Sequence, residues 1–439
     1  MHIITLGCAK NLVDSEWMHA ILTEEGFAYS QEPEEADLLV VNTCAFIDEA
    51  KAESIRTILE AARSKDDGKC SGLIVTGCLA QRFEKELMSE MPEIDAVIGT
   101  GEFRSIGKIA RQVLKGKRIA QVQEPTFRYD TPVSRIRSTP SYTAYLKISE
   151  GCNHTCSFCI IPTLRGRHSS RRPDDIVEEA KKLADEGVKE INLIAQDSTY
   201  YGYDLSRKLL LPDLLRRLNS VAGIDWIRFH YAYPTLFTQE LIDTMADLEK
   251  ICPYVDIPLQ HGSDRILTLM RRAERRERIV KLVEQIRERI PDVVFRSSFI
   301  VGFPGETEDD FQQLLDLLTE IEFDYVGFFT YSQEEGTRAY HMPDQIPDEI
   351  KQERYHRAME HQATISRKKH EARIGQHLEV LVEGEEDGQP GYYRGRWRGQ
   401  AIEVDGQVIF SSKRLHEPGE IVPVRIERAE EYDLLGVSC

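Results

Sequence analysis

The sequence predicts an α/β multidomain protein: an N-terminal parallel α/β sheet domain, a central (β/α) partial or full barrel, and a small C-terminal β-barrel. Three observations predict it. Residues 1–100 alternate short apolar strands with amphipathic helix patterns, the signature of βαβ units. Residues 142–371 repeat that alternation through six strand segments, enough for a full or partial barrel. After Gly375 the apolar period falls to two, as in a small barrel of about five strands. The expected divisions are 1–123, a linker at 124–141, 142–371 and 372–439.

A chain of 439 residues suits two to four domains. Its formal net charge of -18 argues against a generic nucleic-acid binder, whose surface should be basic, and suits a basic partner. No apolar run approaches membrane-spanning length. The N-terminal Met1–Cys8 starts directly as a strand, without the regions of a signal peptide, so a cytoplasmic location is expected. There the nine cysteines are expected as ligands or free thiols rather than disulfides.

Taken in order, His2–Leu6 is an apolar strand that ends at Gly7-Cys8, and a helix with Leu12, Trp17, Ile21 and Leu22 stops at Gly26. Asp37–Val41 is a second strand, running into Asn42-Thr43-Cys44, with a helix from Asp48 to Arg63 behind it. Gly72–Val75 is a third, ending at Thr76-Gly77-Cys78, and Ala96–Ile98 a candidate fourth. Cys8, Cys44 and Cys78 are spaced 36 and 34 residues apart, one βαβ unit each. They should therefore share one carboxyl sheet edge, where open α/β sheets carry their sites. Two readings stay open on spacing alone. One is a three-thiolate site, with Gly7 and Gly77 admitting close backbone approach. The other is three small buried residues at strand ends.

Pro125, Pro132 and Pro140 mark the linker. The barrel strands are Tyr145–Ile148, Glu190–Ala195, Trp226–Phe229, Val255–Ile257, Val293–Ile300 and Tyr325–Tyr331, with helix patterns such as Pro173–Glu186 and Arg265–Ile290 between them. The first strand runs through a turn at Glu150-Gly151 into Cys152, Cys156 and Cys159, a C-x3-C-x2-C stretch. Three clustered thiols hold a metal or an iron–sulfur cluster. They are one ligand short for a four-iron cubane and would leave one iron open, much as a catalytic zinc keeps an open position. A structural zinc site or reduced buried thiols is the plain alternative.

Residues 348–373 read as a charged helix with Ile350, Tyr355, Met359 and Ile365 buried. Beyond it, Leu378/Val380/Val382, Ile402/Val404, Val408/Phe410 and Val422/Val424/Ile426 alternate with polar residues, and Asp405-Gly406 reads as a hairpin turn. Tyr392, Tyr393, Arg394, Arg396, Trp397 and Arg398 supply either a base-stacking surface or the two faces of one strand, and the second is expected. From Ala372 to Cys439 the module carries eight basic and thirteen acidic residues.

With a barrel behind it and the aromatic Phe158 before its last cysteine, the C-x3-C-x2-C stretch resembles that of the radical S-adenosylmethionine (SAM) superfamily. The resemblance implies a [4Fe-4S] cluster on Cys152, Cys156 and Cys159 whose open iron binds SAM. An electron from an external donor would then release a 5′-deoxyadenosyl radical. The strand ends fit SAM binding: Gln196 and Asp197 after the second strand, Gln260 after the fourth, Ser298 in the fifth and Gly302 after it. His261 is expected as a hydrogen-bonded barrel residue, and Gly302–Thr307 also reads simply as a turn and a helix start. No catalytic residue is assigned beyond the cluster ligands.

The boxes Leu6–Glu16, Asn42-Thr43-Cys44 and Thr76-Gly77-Cys78 resemble those of the methylthiotransferases, and the C-terminal module resembles their TRAM domain. That resemblance covers essentially the whole chain. It implies a second [4Fe-4S] cluster on Cys8, Cys44 and Cys78, and insertion of a methylthio group into an unreactive C–H bond. MiaB-type members act on an adenosine of tRNA. RimO-type members act on the β-carbon of an aspartate in the decoding-site protein of the small ribosomal subunit (S twelve). The run Gly7–Glu16 and Glu431-Tyr432-Asp433-Leu434 resemble the RimO type, with Ala9 where its usual box has proline. An acidic chain also suits a basic ribosomal protein better than tRNA. The alternatives are the tRNA enzyme and a non-catalytic iron–sulfur sensor or scaffold. The expected partners are the ribosomal protein and an electron donor, with no membrane, no main role in nucleic-acid binding, and a monomeric chain. Arg265–Ile290, with nine Lys/Arg against four Glu, reads as an RNA-facing stripe or as the solvated face of an outer helix, and the second is expected.

Overall fold

The computed structural model describes residues 1–67, 69–126, 134–386 and 388–439, so Pro132 and part of the expected linker lie outside the described residues. The first sheet is built from β1 (His2–Thr5), α1 (Ala9–Glu24), β2 (Leu38–Thr43), α2 (Asp48–Asp67), β3 (Gly72–Gly77), α3 (Cys78–Arg82), α4 (Glu84–Glu90), β4 (Ala96–Ile98), α5 (Ile106–Val113) and β5 (Ile119–Gln121). All five strands are parallel, in the order β1-β2-β3-β4-β5. Period-two alternation covers both faces. Leu38, Val40 and Ile74 pack with Trp17 and Ile109 on one side, and Leu39, Val41 and Val75 with Ile58 and Leu79 on the other. Three-residue β5, half exposed, has too little apolar content to show as a strand in the sequence.

The central region holds β6 (Thr143–Lys147), β7 (Ser149–Glu150), α6 (Ile161–Arg165), β8 (Ser169–Ser170), α7 (Pro173–Asp185), β9 (Glu190–Ile194), α8 (Tyr203–Ser206), α9 (Leu211–Asn219), β10 (Trp226–Phe229) and α10 (Gln239–Asp247). It continues with β11 (Tyr254–Asp256), α11 (Asp264–Leu269), α12 (Arg276–Arg289), β12 (Val294–Val301), α13 (Glu308–Ile321), β13 (Tyr325–Thr330) and α14 (Asp348–Glu371). Two parallel three-stranded sheets, β6-β9-β10 and β11-β12-β13, meet at a bridge between Ile227 and Ile251. No pairing joins β13 to β6 among the described residues, so the barrel is partial. Ala144, Leu146, Ile191, Leu193, Phe295 and Phe299 point to the surrounding helices. The alternate positions, including Lys147, Asn192, Arg228, Asp256 and Arg296, line a polar lumen.

Two expectations for the helices change. Arg265–Ile290 is not one helix: α11 stops at Leu269, Arg271 takes a positive φ of 57°, and α12 starts at Arg276. In α14 Ile350 is exposed, while Lys351, Arg354, Gln362 and His370 are buried, because polar contacts to β13 and the 302–307 turn set that helix's inner face.

The last five strands, β14 (His377–Glu385), β15 (Tyr392–Trp397), β16 (Val408–Ser411), β17 (Ile421–Ala429) and β18 (Leu434–Ser438), close a barrel in the order β14-β15-β16-β18-β17. Tyr393, Arg396 and Trp397 face inward or into a neighbouring domain, so this strand shows two faces rather than a stacking surface. Ile402 and Val404 form no strand, and neither Asp405 nor Gly406 takes the positive φ a hairpin turn of that kind needs. The 398–407 loop instead inserts into the amino-terminal end of the large barrel. There Asp405 accepts from Tyr254 (2.6 Å), Tyr145 donates to Glu403 (3.1 Å), and Arg398 O accepts from Arg228 (2.9 Å). Arg396 meets Glu190 at 2.6 Å. The small barrel is thus the floor of the large one.

Candidate functional site

Parallel pairing carries the ends of β1, β2 and β3 to one edge, and there Cys8, Cys44 and Cys78 gather. Cys8 caps the amino end of α1, Cys44 follows β2, and Cys78 opens α3. Cys8 is exposed, Cys44 half-buried and Cys78 buried, so the set opens outward on its Cys8 side. Gly77, at φ 91°, leaves no room for a Cβ, which would stand 2.4 Å from Asn42 Oδ1 and 2.5 Å from Thr43 O. A Cβ on Gly7 would stand 2.8 Å from that of Cys44. Asn11 ties the edge together, donating to Leu6 O (2.8 Å) and Thr43 O (3.0 Å). Burial pushes the Cys78 thiol up to about 11, against the nearby Arg165 and with Cys8 and Cys44 adding to the rise.

The second set leaves the carboxyl end of β6. Gly151 and Gly166 (φ 78° and 72°) let this loop fold flat against backbone, and Cys152 N–H donates to Gly166 O (3.1 Å). Ser157 anchors the far side, its N–H on Met270 O (3.0 Å) and its hydroxyl on Leu269 O (2.8 Å). Phe158 packs against Met270, Phe303 and Tyr331. Burial pushes Cys152 and Cys159 up to about 12 each, and the neighbouring thiols and, for Cys152, Asp197 add to the rise. Free thiols in such surroundings stay protonated, and a bound metal is what makes them thiolates.

Residues outside both cysteine motifs lie beside the two sets. Arg272, in the break between α11 and α12, is buried with one guanidinium nitrogen 3.8 Å from Cys156 Sγ, and it also pairs with Glu274 (2.8 Å) and donates to Pro258 O (2.8 Å). This arginine was expected on a solvated face. Its neighbours hold helical charge spacing, but the chain leaves the helix at Arg271, and that turn sends it inward. Arg165, at the end of α6, crosses to the first domain. It bonds Asp14 Oδ2 (2.6 Å) and Asn11 Oδ1, stands 3.4 Å from Glu150, and lies beside Cys78 and Cys8. Lys147 bridges Asp14 (2.5 Å) and Glu150 (2.7 Å), and Arg135 ties Glu16 to Glu179 (2.5 and 3.0 Å). The Asn11–Glu16 box is therefore a docking surface for the barrel. Nothing in local periodicity signals this, since Arg135, Lys147 and Arg165 all lie more than a hundred residues away.

Of the expected SAM contacts, Gln196 Nε2 donates to Glu150 while its buried Oε1 has no partner among the described residues. The side chains of Gln260 and Ser298 make no hydrogen bond among the described residues, and Gln260 O accepts from Ile300 N (2.8 Å) at a positive φ of 72°. Asp197 and Gly302 also make contacts within the chain. Asp197 accepts from Thr199 N and Oγ1 (3.0 and 2.6 Å) at one oxygen and meets His154 Nε2 at 2.6 Å with the other, tying its own turn to the cysteine loop. His154 also stacks on Tyr233, ring centres 3.6 Å apart. Gly302 donates to Glu306 (2.9 Å), and a Cβ there would meet Lys351 Cγ at 2.3 Å, so its smallness serves the packing of α14. His261 is buried, accepting from Ser263 N (3.0 Å) with Glu306 at 3.3 Å, as a barrel residue should. Thr307 and Asp310 form the capping box that starts α13.

The donor chemistry fits an iron–sulfur cluster at each set: three unpaired thiols with a guanidinium alongside. No three His, Cys, Asp or Glu side chains among the described residues converge on one ion, as a zinc chelate would require. A cubane instead takes each thiolate at a different iron.

Comparison with known proteins gives the class first. Residues 146–318 match the Radical SAM superfamily, residues 1–99 the Uncharacterized protein family UPF0004, and residues 374–438 the TRAM domain. TsrM from Kitasatospora setae, a radical S-adenosylmethionine methyltransferase, shares the fold with a TM-score of 0.55 at 17% identity, over 75% of this chain and 74% of that one. The cobalamin-dependent radical enzyme OxsB gives 0.54 at 14% identity, over 83% and 57%. Relatives along the whole chain narrow the class. Ribosomal protein uS12 methylthiotransferase RimO of Symbiobacterium thermophilum is 50% identical over 435 residues, 99% of this chain and 90% of that one. Its counterpart in Pelotomaculum thermopropionicum is 50% identical over 434 residues, 99% and 98%. The chain belongs to this family of radical SAM methylthiotransferases.

Proposed function

We propose that the chain installs a methylthio group on the β-carbon of an aspartate in ribosomal protein uS12. The observation that carries this is a three-thiol set on the first sheet and another on the barrel, the two units docked through Arg165 and Asp14, in a chain half identical to uS12 methylthiotransferases over nearly its whole length. Those relatives favour the ribosomal protein over tRNA, and the acidic small barrel agrees. Cys152, Cys156 and Cys159 would hold one [4Fe-4S] cluster, and Cys8, Cys44 and Cys78 a second. When bound, the first supplies reductive cleavage of SAM and the second presents sulfur.

The protein's own residues position and enclose this chemistry. Arg272 sets a cation beside the barrel thiols, and Arg165 sets one beside the other set, each offsetting anionic charge in a place short of water. His154, held by Asp197 and Tyr233, stiffens the cysteine loop. The 398–407 loop covers the lower end of the barrel and would exclude water from its lumen. Gln196, Gln260 and Ser298 keep free hydrogen-bonding capacity for SAM. The electron comes from an external donor, and the chain works as a monomer in the cytoplasm, with domain divisions at 123, 141 and 371.

Anaerobically reconstituted protein should carry about eight irons, from two four-iron clusters. Cys78→Ala should keep about four and still cleave SAM to 5′-deoxyadenosine. Mass spectrometry of cells lacking the chain should show unmodified uS12. Loss of a methylthio mark from tRNA, with uS12 still modified, would overturn the reading.

A further inference from the structure

Lys10 stands two residues beyond Cys8, in the first turn of α1, and is only 7% exposed. Its Nζ lies 3.1 Å from the centre of the Tyr231 ring, just past the carboxyl end of β10 at the barrel mouth. Among the described residues it has no carboxylate within 4.0 Å and no hydrogen-bond acceptor. The other cations near this mouth are matched: Lys147 with Asp14 and Glu150, Arg165 with the same two, Arg272 with Glu274, Arg296 with Asp256. An ammonium has three protons to donate, and a ring face attracts its charge without replacing those bonds. A buried cation left in this state is costly unless a partner arrives.

Tyr231 is itself held under strain. It takes a left-handed φ of 61°, with its N–H on Asp256 (3.1 Å) and its carbonyl accepting from Ser198 N (3.1 Å). Bonds on both sides keep a bulky residue in a conformation it rarely adopts, a sign of a functional position. The ring and ammonium meet where the start of α1, which Cys8 caps, faces the carboxyl end of β10.

We propose that Lys10 is the binding residue for the carboxylate of the target aspartyl side chain, an assignment that rests on the uS12 reading above. The β-carbon is bonded directly to the carboxyl carbon. A carboxylate anchored at Lys10 therefore fixes the reacting atom within one bond of the anchor. Because Lys10 shares the first turn of α1 with Cys8, that atom is held toward the sulfur-bearing side while its C–H faces the barrel. SAM also brings a carboxylate, but Lys10 belongs to the Cys8 side of the mouth and not to the Cys152–Cys159 loop.

The test uses the full chain, reconstituted, as wild type, Lys10→Met and Lys10→Arg, with recombinant uS12, its Asp→Asn variant at the target position, and SAM. Lys10→Met should keep the wild-type iron content. It should also keep the wild-type KM for SAM and the wild-type rate of 5′-deoxyadenosine release without uS12. It should lose about 10²-fold or more in kcat/KM for uS12, as expected when one partner of a buried charge pair is removed. Lys10→Arg should recover part of that. Wild type should bind uS12 more tightly than the Asn variant, and Lys10→Met should bind the two alike. The metal-free Lys10→Met chain should melt no lower than wild type, since an unpaired buried charge has been removed. Undiminished preference for Asp in Lys10→Met would overturn the assignment. So would a raised KM for SAM, which would give Lys10 to the cofactor's carboxylate, or a lowered melting temperature, which would make it a strut. If wild type itself neither binds nor modifies uS12, the uS12 reading falls instead, and the assignment with it.

Discussion

Replacing Arg165 with methionine isolates the contact that joins the barrel to the first sheet, beside Cys78 and Cys8. The side chain is 2% exposed and bonds Asp14 Oδ2 at 2.6 Å and Asn11 Oδ1, with Glu150 at 3.4 Å. Methionine of similar reach removes the charge and leaves the two buried carboxylates to share Lys147, at 2.5 and 2.7 Å. Removing one partner of a buried ion pair costs about 3–5 kcal/mol, because a charge is left unmatched. Lys147 still serves both acids, which places Arg165→Met near the lower end, about 3 kcal/mol. Domains of this kind have about 5–15 kcal/mol to lose. Asp14→Asn in that background removes the surplus charge, and the pair should be coupled by about 1–2 kcal/mol. Urea unfolding of the metal-free chain, with the four proteins of the cycle followed by circular dichroism and tryptophan emission, measures this. An Arg165→Met midpoint within about 0.5 kcal/mol of wild type, or strict additivity with Asp14→Asn, would refute the network as the link between the domains.

Three further outcomes follow from the same geometry. Gly77→Ala puts a Cβ 2.4 Å from Asn42 Oδ1 at φ 91°, so the chain should hold about four irons instead of about eight while its SAM cleavage persists; full iron loading would contradict the close approach. Arg272→Met removes the guanidinium 3.8 Å from Cys156 Sγ. The potential of the barrel cluster should fall by roughly 40–90 mV, the one-electron equivalent of about 1–2 kcal/mol, in an EPR-monitored redox titration. Burial alone would raise Glu190, but Arg396 and then Arg228 hold it down at about 2 from an ordinary 4.5. Its stabilisation is therefore complete above pH 4.5 and lost as pH falls toward 2, about 3 kcal/mol in all, and Glu190→Gln should flatten the urea midpoint across that window.

Both cysteine sets were legible because each rests on a local rule. The period of βαβ units carried Cys8, Cys44 and Cys78 to one edge, and C-x3-C-x2-C needs no distant partner. Ile402 and Val404 misled because alternation marks a half-buried surface whether a strand or an inserted loop supplies it. Arg272 misled because helical charge spacing continues past the residue where the backbone turns. In each case local pattern reported burial or polarity correctly but not what stood opposite.

The sequence by itself determined the order of the three folds, the edges on which the cysteines lie, and, by resemblance along its whole length, the family. These depend on periodicity and spacing, which adjacent residues enforce on one another. Only the tertiary structure decided that the small barrel is the floor of the large one, that Arg165 and Asp14 pair between the barrel and the first sheet, and that Lys10 lies on the Tyr231 ring with no carboxylate within 4.0 Å among the described residues. Charges meet through space. Glu190 and Arg396 are 206 residues apart in the chain and 2.6 Å apart in the fold, and nothing along the backbone between them records the pairing.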